Sequence, residues 1–259
     1  MANFSFFLSI IYLLIGRGAF ALSSDSLVAV SKEPFSLPSG SVHWGDYFIW
    51  SDNVEISGTI EGDLYVLGGQ VIVDGEVHGD IIGMAGSIDI SGSVSGNIRV
   101  LAGQVLISGV IGRSVSLAAG SAQFLPASAV GSNIALLAGN ADVAAVVGNN
   151  VSAVASNLRL SSVVGGGVQA YVGQLRITSR ARIGGSVDYQ SSDLAWIDPG
   201  AAIAGSVIHH PSLIHELFHG TWAQGILIGG KVLALLMNFI YTFVIGLILI
   251  KTFHYPLAF

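Results

Sequence analysis

From Val54 onward the chain repeats itself with a fixed period, and Val54, Val71, Ile88 and Val105 open four successive units of equal length. VEISGTIEGDLYVLGGQ is followed directly by VIVDGEVHGDIIGMAGS, IDISGSVSGNIRVLAGQ and VLISGVIGRSVSLAAGS. The beat continues in AQFLPASAVGSNIALLAGN, ADVAAVVGNNVSAVASN and LRLSSVVGGGVQAYVGQ, and two longer units close the array near Ser212. One glycine marks the register: Gly69, Gly86, Gly103, Gly120, Gly139 and Gly173 hold the same place, and Ser156 stands there once. A fixed period over nine units is the signature of a solenoid, in which each unit is stable only against its neighbours.

The pattern inside a unit indicates which solenoid. Val54, Ile56, Ile60, Leu64 and Val66 are apolar and have mostly polar or glycine neighbours. Short stretches of period two therefore alternate with turns, and helical spacing is absent. The pairs Gly62-Asp63, Gly79-Asp80 and Gly96-Asn97 carry turn chemistry: Gly and Asn tolerate positive φ, and Asp can bond its own backbone. Three strands and three corners per unit predict one coil of a β-helix. Nine coils stacked at the hydrogen-bonded strand spacing give a rod of roughly 40–45 Å. A left-handed hexapeptide helix would need apolar residues every six positions, and the four-residue step from Ile60 to Leu64 does not keep that beat.

Apolar segments flank the array. Phe4–Gly16 is too short to span a bilayer comfortably and precedes Ala19-Phe20-Ala21, which fits signal-peptidase cleavage after Ala21. Val232–Ile250 is uncharged, bracketed by Lys231 and Lys251, and long enough to cross as a helix. The expected order is a signal peptide (1–21), an N-terminal cap region (22–52), the β-helix (53–212), an amphipathic juxtamembrane segment (213–231), a transmembrane helix (232–250) and a cytoplasmic tail (251–259). That order puts the β-helix on the extracytoplasmic side of the cell membrane, with lipid as one partner.

The repeat's G-x-V/I-x-G-D/N-I/L-x-V-x-A/G-G beat resembles the bactofilin, or polymer-forming cytoskeletal, domain. The similarity covers roughly Ser51–Ser212, including the late I-x-P-G-A-x-I-x-G-x-V element at Ile197–Val207. More narrowly, the chain looks like the exported membrane-protein branch, in which a signal peptide precedes the solenoid and transmembrane helices follow it. The resemblance implies a right-handed parallel β-helix of about nine 17–19-residue coils, nucleotide-independent end-to-end self-assembly and a scaffolding role at the envelope. Classical bactofilins are cytoplasmic, and exported members usually carry several spans where this chain shows one.

Other chemistry finds little support in the sequence. Ten Lys and Arg residues, scattered in a chain of net charge −6, form no basic stripe for nucleic acid. Without cysteine there is no disulfide, thiolate metal site or Cys nucleophile. His215-Glu216-Leu217-Phe218-His219 matches the zincin H-E-x-x-H, making His215 and His219 weak metal candidates. The context opposes it: residues 220–259 contain no Asp or Glu, and Trp222 occupies the place where the extended motif has Gly. Asp63 and Asp80 could stack at a corner, but Asn97 breaks the charge column. His78 falls on a coil exterior. Arg176, Arg180 and Arg182 form a small basic cluster on a late coil, most simply a solvated face. Trp44, Tyr47, Phe48 and Trp50 make an aromatic-rich first coil that caps the core or meets another subunit.

The expectation is a structural, non-enzymatic protein without cofactor, nucleotide or catalytic residues, with itself as one partner. The rival is a monomeric module that binds an envelope polysaccharide or protein. Such a module would use ladders of exposed aromatics, and the regular coils supply only Tyr65, Tyr171 and Tyr189.

Overall fold

In the computed structural model, described here for residues 27–30 and 34–211, the chain forms a parallel β-solenoid of about ten turns without a helix. The segments read as signal peptide, amphipathic juxtamembrane segment, transmembrane span and tail, with His215 and His219, lie outside the described residues.

Each regular coil contains one ten-residue strand and one short strand. Leu64–Val73, Ile81–Ile90, Ile98–Ile107 and Val115–Phe124 are successive long strands, each paired in parallel with the next. Glu76–Val77, Ser93–Val94 and Val110–Ile111 are short ones, stacked in a second sheet. The long strand covers two faces of the coil because its alternation slips once. Leu64 and Val66 point inward, Gly69 and Gln70 both lie on the outside, and Val71 and Val73 point inward again. Two consecutive outward residues turn the chain, so the three expected strand segments appear as one bent strand and one short strand.

The period of the sequence is the pitch of the solenoid. Ile98 pairs with Val115, one repeat later, and each side chain of the strand sits on its counterpart from the previous coil. Val115 pairs with Ile134 across a lengthened repeat, and the extra residues enter at a corner without disturbing the inward positions. Val54, Ile56, Ile60, Leu64 and Val66 all lie in one continuous core, at most 5% exposed. Burying branched aliphatic side chains in such columns contributes about 1.5–3 kcal/mol each before conformational entropy is subtracted.

The stack starts upstream of Val54. Leu27–Val30 and Phe35–Leu37 pair with the two halves of Tyr47–Ile56, and Val42–Trp44 pairs with Thr59–Glu61. Part of the aromatic segment is therefore core: Tyr47 is buried, edge-on to Phe35 at 5.3 Å and stacked on His43 at 4.0 Å. This added coil, absent from a count that begins at Val54, brings the nine expected coils to about ten.

Candidate functional surfaces

The Gly-Asx corners do not work as local turns. Among the described residues only Gly40 and Gly45 have positive φ, so Gly62, Gly79 and Gly96 are not chosen for left-handed backbone. Close approach demands them instead. A Cβ at Gly62 would overlap the Gly45 carbonyl, and one at Gly96 would overlap the Asp80 carboxylate. The register glycines face the same constraint more mildly, since a Cβ at Gly103 would sit 2.7 Å from the Gly86 carbonyl oxygen.

The Asx side chains at these corners bond forward to the next coil, not to their own backbone. The Asp63 N–H donates to Asp46 Oδ1 (2.9 Å), Asp80 N–H to Asp63 Oδ1 (2.7 Å) and Asn97 N–H to Asp80 Oδ1 (2.7 Å). Ser114 N–H continues onto Asn97, Asn133 N–H onto Ser114, Asn150 N–H onto Asn133 and Gly167 N–H onto Asn150. The ladder needs an acceptor oxygen at one fixed height, and Asp, Asn or Ser supplies it. That is why Asn97 interrupts the charge column without interrupting the structure. Asp80 also receives Arg99 at 2.6 Å, and the Asn97 backbone N–H, followed by Arg99, holds its carboxyl below the usual carboxylate range. These carboxylates serve as coil-to-coil staples.

His78 is exposed, but Glu61 lies 2.7 Å from its Nδ1 and Glu76 3.6 Å from its Nε2. The Glu61 hydrogen bond, with its charge, pushes the imidazole above its ordinary value. Arg176 and Arg182 lie on different sheets of the solenoid. Arg182 donates to the carbonyls of Ser179, Ala181 and Gly200, tying two corners together, whereas Arg176 lies beside Arg159 on the long-strand sheet. Arg159 in turn pairs with Asp142 at 3.3 Å. At the C-terminal end, His209 donates to the Ser191 carbonyl and stacks on Tyr189, while His210 faces Asp188 at 3.2 Å. The two adjacent histidines thus point to opposite faces of their strand. Among the described residues no group of three His, Cys, Asp or Glu side chains is placed to hold a metal ion.

The three tyrosines do not form a ladder either. Tyr189 points inward, is 3% exposed and accepts the Ala195 N–H on its hydroxyl. Tyr65 stacks on Phe48 at 4.4 Å and donates to Asp63, and burial followed by Asp63 raises its hydroxyl above the ordinary value. Of the three, Tyr171 is the one that is widely exposed. The sequence reading missed what surrounds Tyr171, a column of apolar side chains on the outer face of the long strands. Leu67, Met84, Leu101, Leu137, Val154 and Tyr171 hold equivalent positions on successive coils and are 43–55% exposed. The signal was present at one fixed place in each repeat, three residues after the strand begins, but period-two reading assigns that place to solvent.

Comparison with known proteins yields no match: no family model, no curated protein and no solved structure matches this chain.

Proposed function

We propose that this chain is a membrane-anchored, extracytoplasmic scaffold: a right-handed, bactofilin-like β-helix that assembles end to end without nucleotide or metal. The parallel stack supports that winding, because parallel crossovers are right-handed in nearly all folds. One observation carries the assembly reading. Val207–Pro211 pairs with Val187–Ser191 on one side and with no strand on the other among the described residues. The last coils also expose Leu194, Trp196, Val207 and Ile208. An open rung of backbone donors and acceptors beside apolar side chains is a template for another chain. The work is mechanical: backbone ladders and stacked aliphatic columns give a stiff rod, and the apolar stretch Val232–Ile250 fixes it to the membrane.

The test is negative-stain electron microscopy of the full chain in mild detergent, free of nucleotide and metal, across a concentration series. Filaments that lengthen with concentration are the expected result. Short rods at every concentration would overturn it in favour of a monomeric envelope-binding module. Protease added outside intact cells should digest the solenoid if it is extracytoplasmic.

A further inference from the structure

The outer face of the long-strand sheet carries two parallel columns. One is the exposed apolar column headed by Trp50 and running from Leu67 to Tyr171, with Ala118 as its one small member. The other, two residues earlier on each strand, changes size along the rod. It is bulky in the early coils, with Phe48, Tyr65, Ile82 and Arg99, small in the next three, with Ser116, Ala135 and Ser152, and ends at Gln169. The small side chains leave an open depression of about 620 Å³, flanked by Leu101, Leu137, Val154 and Tyr171. Over the coils from Phe48 to Tyr171 the two columns contain one charged residue, Arg99, and Asp80 neutralises it at 2.6 Å.

We infer that this face is covered by the same face of a second copy of the chain, the two rods lying antiparallel. A two-fold axis parallel to the strands, passing between the coils of Leu101 and Ala118, keeps each column opposite itself and reverses the order of coils. Leu101 then faces Ala118 of the second copy, Leu67 faces Val154 and Met84 faces Leu137. In the other column, Tyr65 faces Ser152 and Ile82 faces Ala135, a bulky side chain against a small one in both cases, while Phe48 meets the polar Gln169 at the margin. The middle of this column is self-complementary under this one operation, which is the requirement for an isologous interface.

The size is also appropriate. Eight coils span about 34 Å at the strand spacing. A strip about 15–20 Å wide along that length covers roughly 500–700 Å² on each copy, toward the low end of what a specific interface buries per partner. A lipid surface would accept any apolar column and would not require this pairing of large with small, nor does the face carry the basic skirt that anionic headgroups attract. The contact is lateral and uses neither solenoid end, so it goes beyond end-to-end assembly.

The chain lacks cysteine, so introduced thiols are the only ones present. The test is copper-catalysed oxidation of the full chain in detergent, carrying Leu67→Cys and Val154→Cys together. Within one copy these positions are five coils, about 24 Å, apart, far beyond disulfide reach. The antiparallel pair brings each against the other's counterpart. The double variant should form a covalent dimer, and each single variant should not, because its own symmetry mate is equally distant. Leu137→Glu on that background should lower the dimer yield about tenfold or more. An unchanged far-UV circular dichroism spectrum shows that each variant is folded. A folded double variant that does not cross-link would overturn the proposal, as would single variants that link equally well. A double variant that stays unlinked but floats with phosphatidylcholine vesicles would overturn it in favour of a lipid-covered face. Filaments that persist in Leu137→Glu, or their absence from the unmodified chain, bear on end-to-end assembly alone.

Discussion

The corner after each long strand stacks in two ways. In the early coils two residues turn the chain: Asp74-Gly75, Ser91-Gly92 and Ser108-Gly109. Both backbone N–H groups of such a pair donate to one carbonyl below, as Ser91 and Gly92 do to Val73. The coils come so close that a Cβ at Gly92 would overlap the Gly75 carbonyl oxygen, and one at Gly109 the Gly92 oxygen. Beyond Ser108-Gly109 the corner first lengthens by two residues and closes on itself, with Ser128 N–H donating to Leu125 O at 3.0 Å. The same closure recurs later, from Ala181 N–H to Thr178 O at 2.9 Å and from Ala201 N–H to Asp198 O at 3.0 Å. The two-residue corners that follow Leu125–Ser128 are Ala144-Ala145 and Ser161-Ser162, and neither contains glycine. They stack through a single N–H, from Ala144 to Phe124 O and from Ser161 to Val143 O. Glycine thus goes with the two-donor stacking, which presses one corner onto the next, and single-donor corners leave room for a Cβ. The solenoid absorbs two extra residues because the lengthened turn meets its own hydrogen bonds.

Several substitutions bear on this comparison, each measured by equilibrium urea unfolding followed by circular dichroism. The largest effect is expected at Phe124, fully buried where the corner changes from one form to the other. Phe124→Ala should cost about 3–5 kcal/mol through the cavity it leaves. Gly92→Ala should cost about 3 kcal/mol, since backbone must move to admit the methyl group; a cost below that of an exposed glycine site would sink the close-approach account. Asp80→Ala removes the acceptor for the Asn97 N–H and should cost about 1–2 kcal/mol at neutral pH, because the corner is only half buried. Asp80 titrates below the usual carboxylate range, so its contribution is present above that range and lost as pH falls through the folded value. Asp80→Asn, which keeps an acceptor, should retain most of the stability and flatten the acid limb.

At the single-donor corner the sign of the glycine effect reverses. Ala145→Gly should lose about 0.5–1 kcal/mol from backbone entropy, with no relief of crowding to offset it. The smallest effect concerns His78, whose imidazole is held above its ordinary value by Glu61. That contribution is present below the ordinary histidine range and fades as pH rises through the folded value. Glu61→Gln should return the His78 chemical-shift titration toward that of a free imidazole and leave the fold intact.

The solenoid was legible because parallel stacking copies the sequence period into space. Residues one period apart must occupy the same environment, so nine imperfect copies reinforce one another where a single copy would be ambiguous. The corners were less legible. Asp63 and Gly62 read as a turn pair by local rules, yet what they answer to is the neighbouring coil, one full repeat away in the chain. Tyr189 read as an outward residue of a regular coil, but its strand keeps the register, with Tyr189 stacked on the inward Ala170, so the ring lies in the core. Arg182 read as part of a charge cluster, but its guanidinium is spent on three carbonyls brought together by successive corners.

The sequence by itself determined the period, the alternation of strand and turn, and the inward aliphatic columns, because burial at a fixed repeat is a one-dimensional property. Only the tertiary structure decided which oxygen accepts each corner N–H, where a Cβ has no room, and how far the outward apolar column stays exposed. Those depend on contact between coils, and contact at that range is fixed by small differences in distance that a residue pattern does not encode.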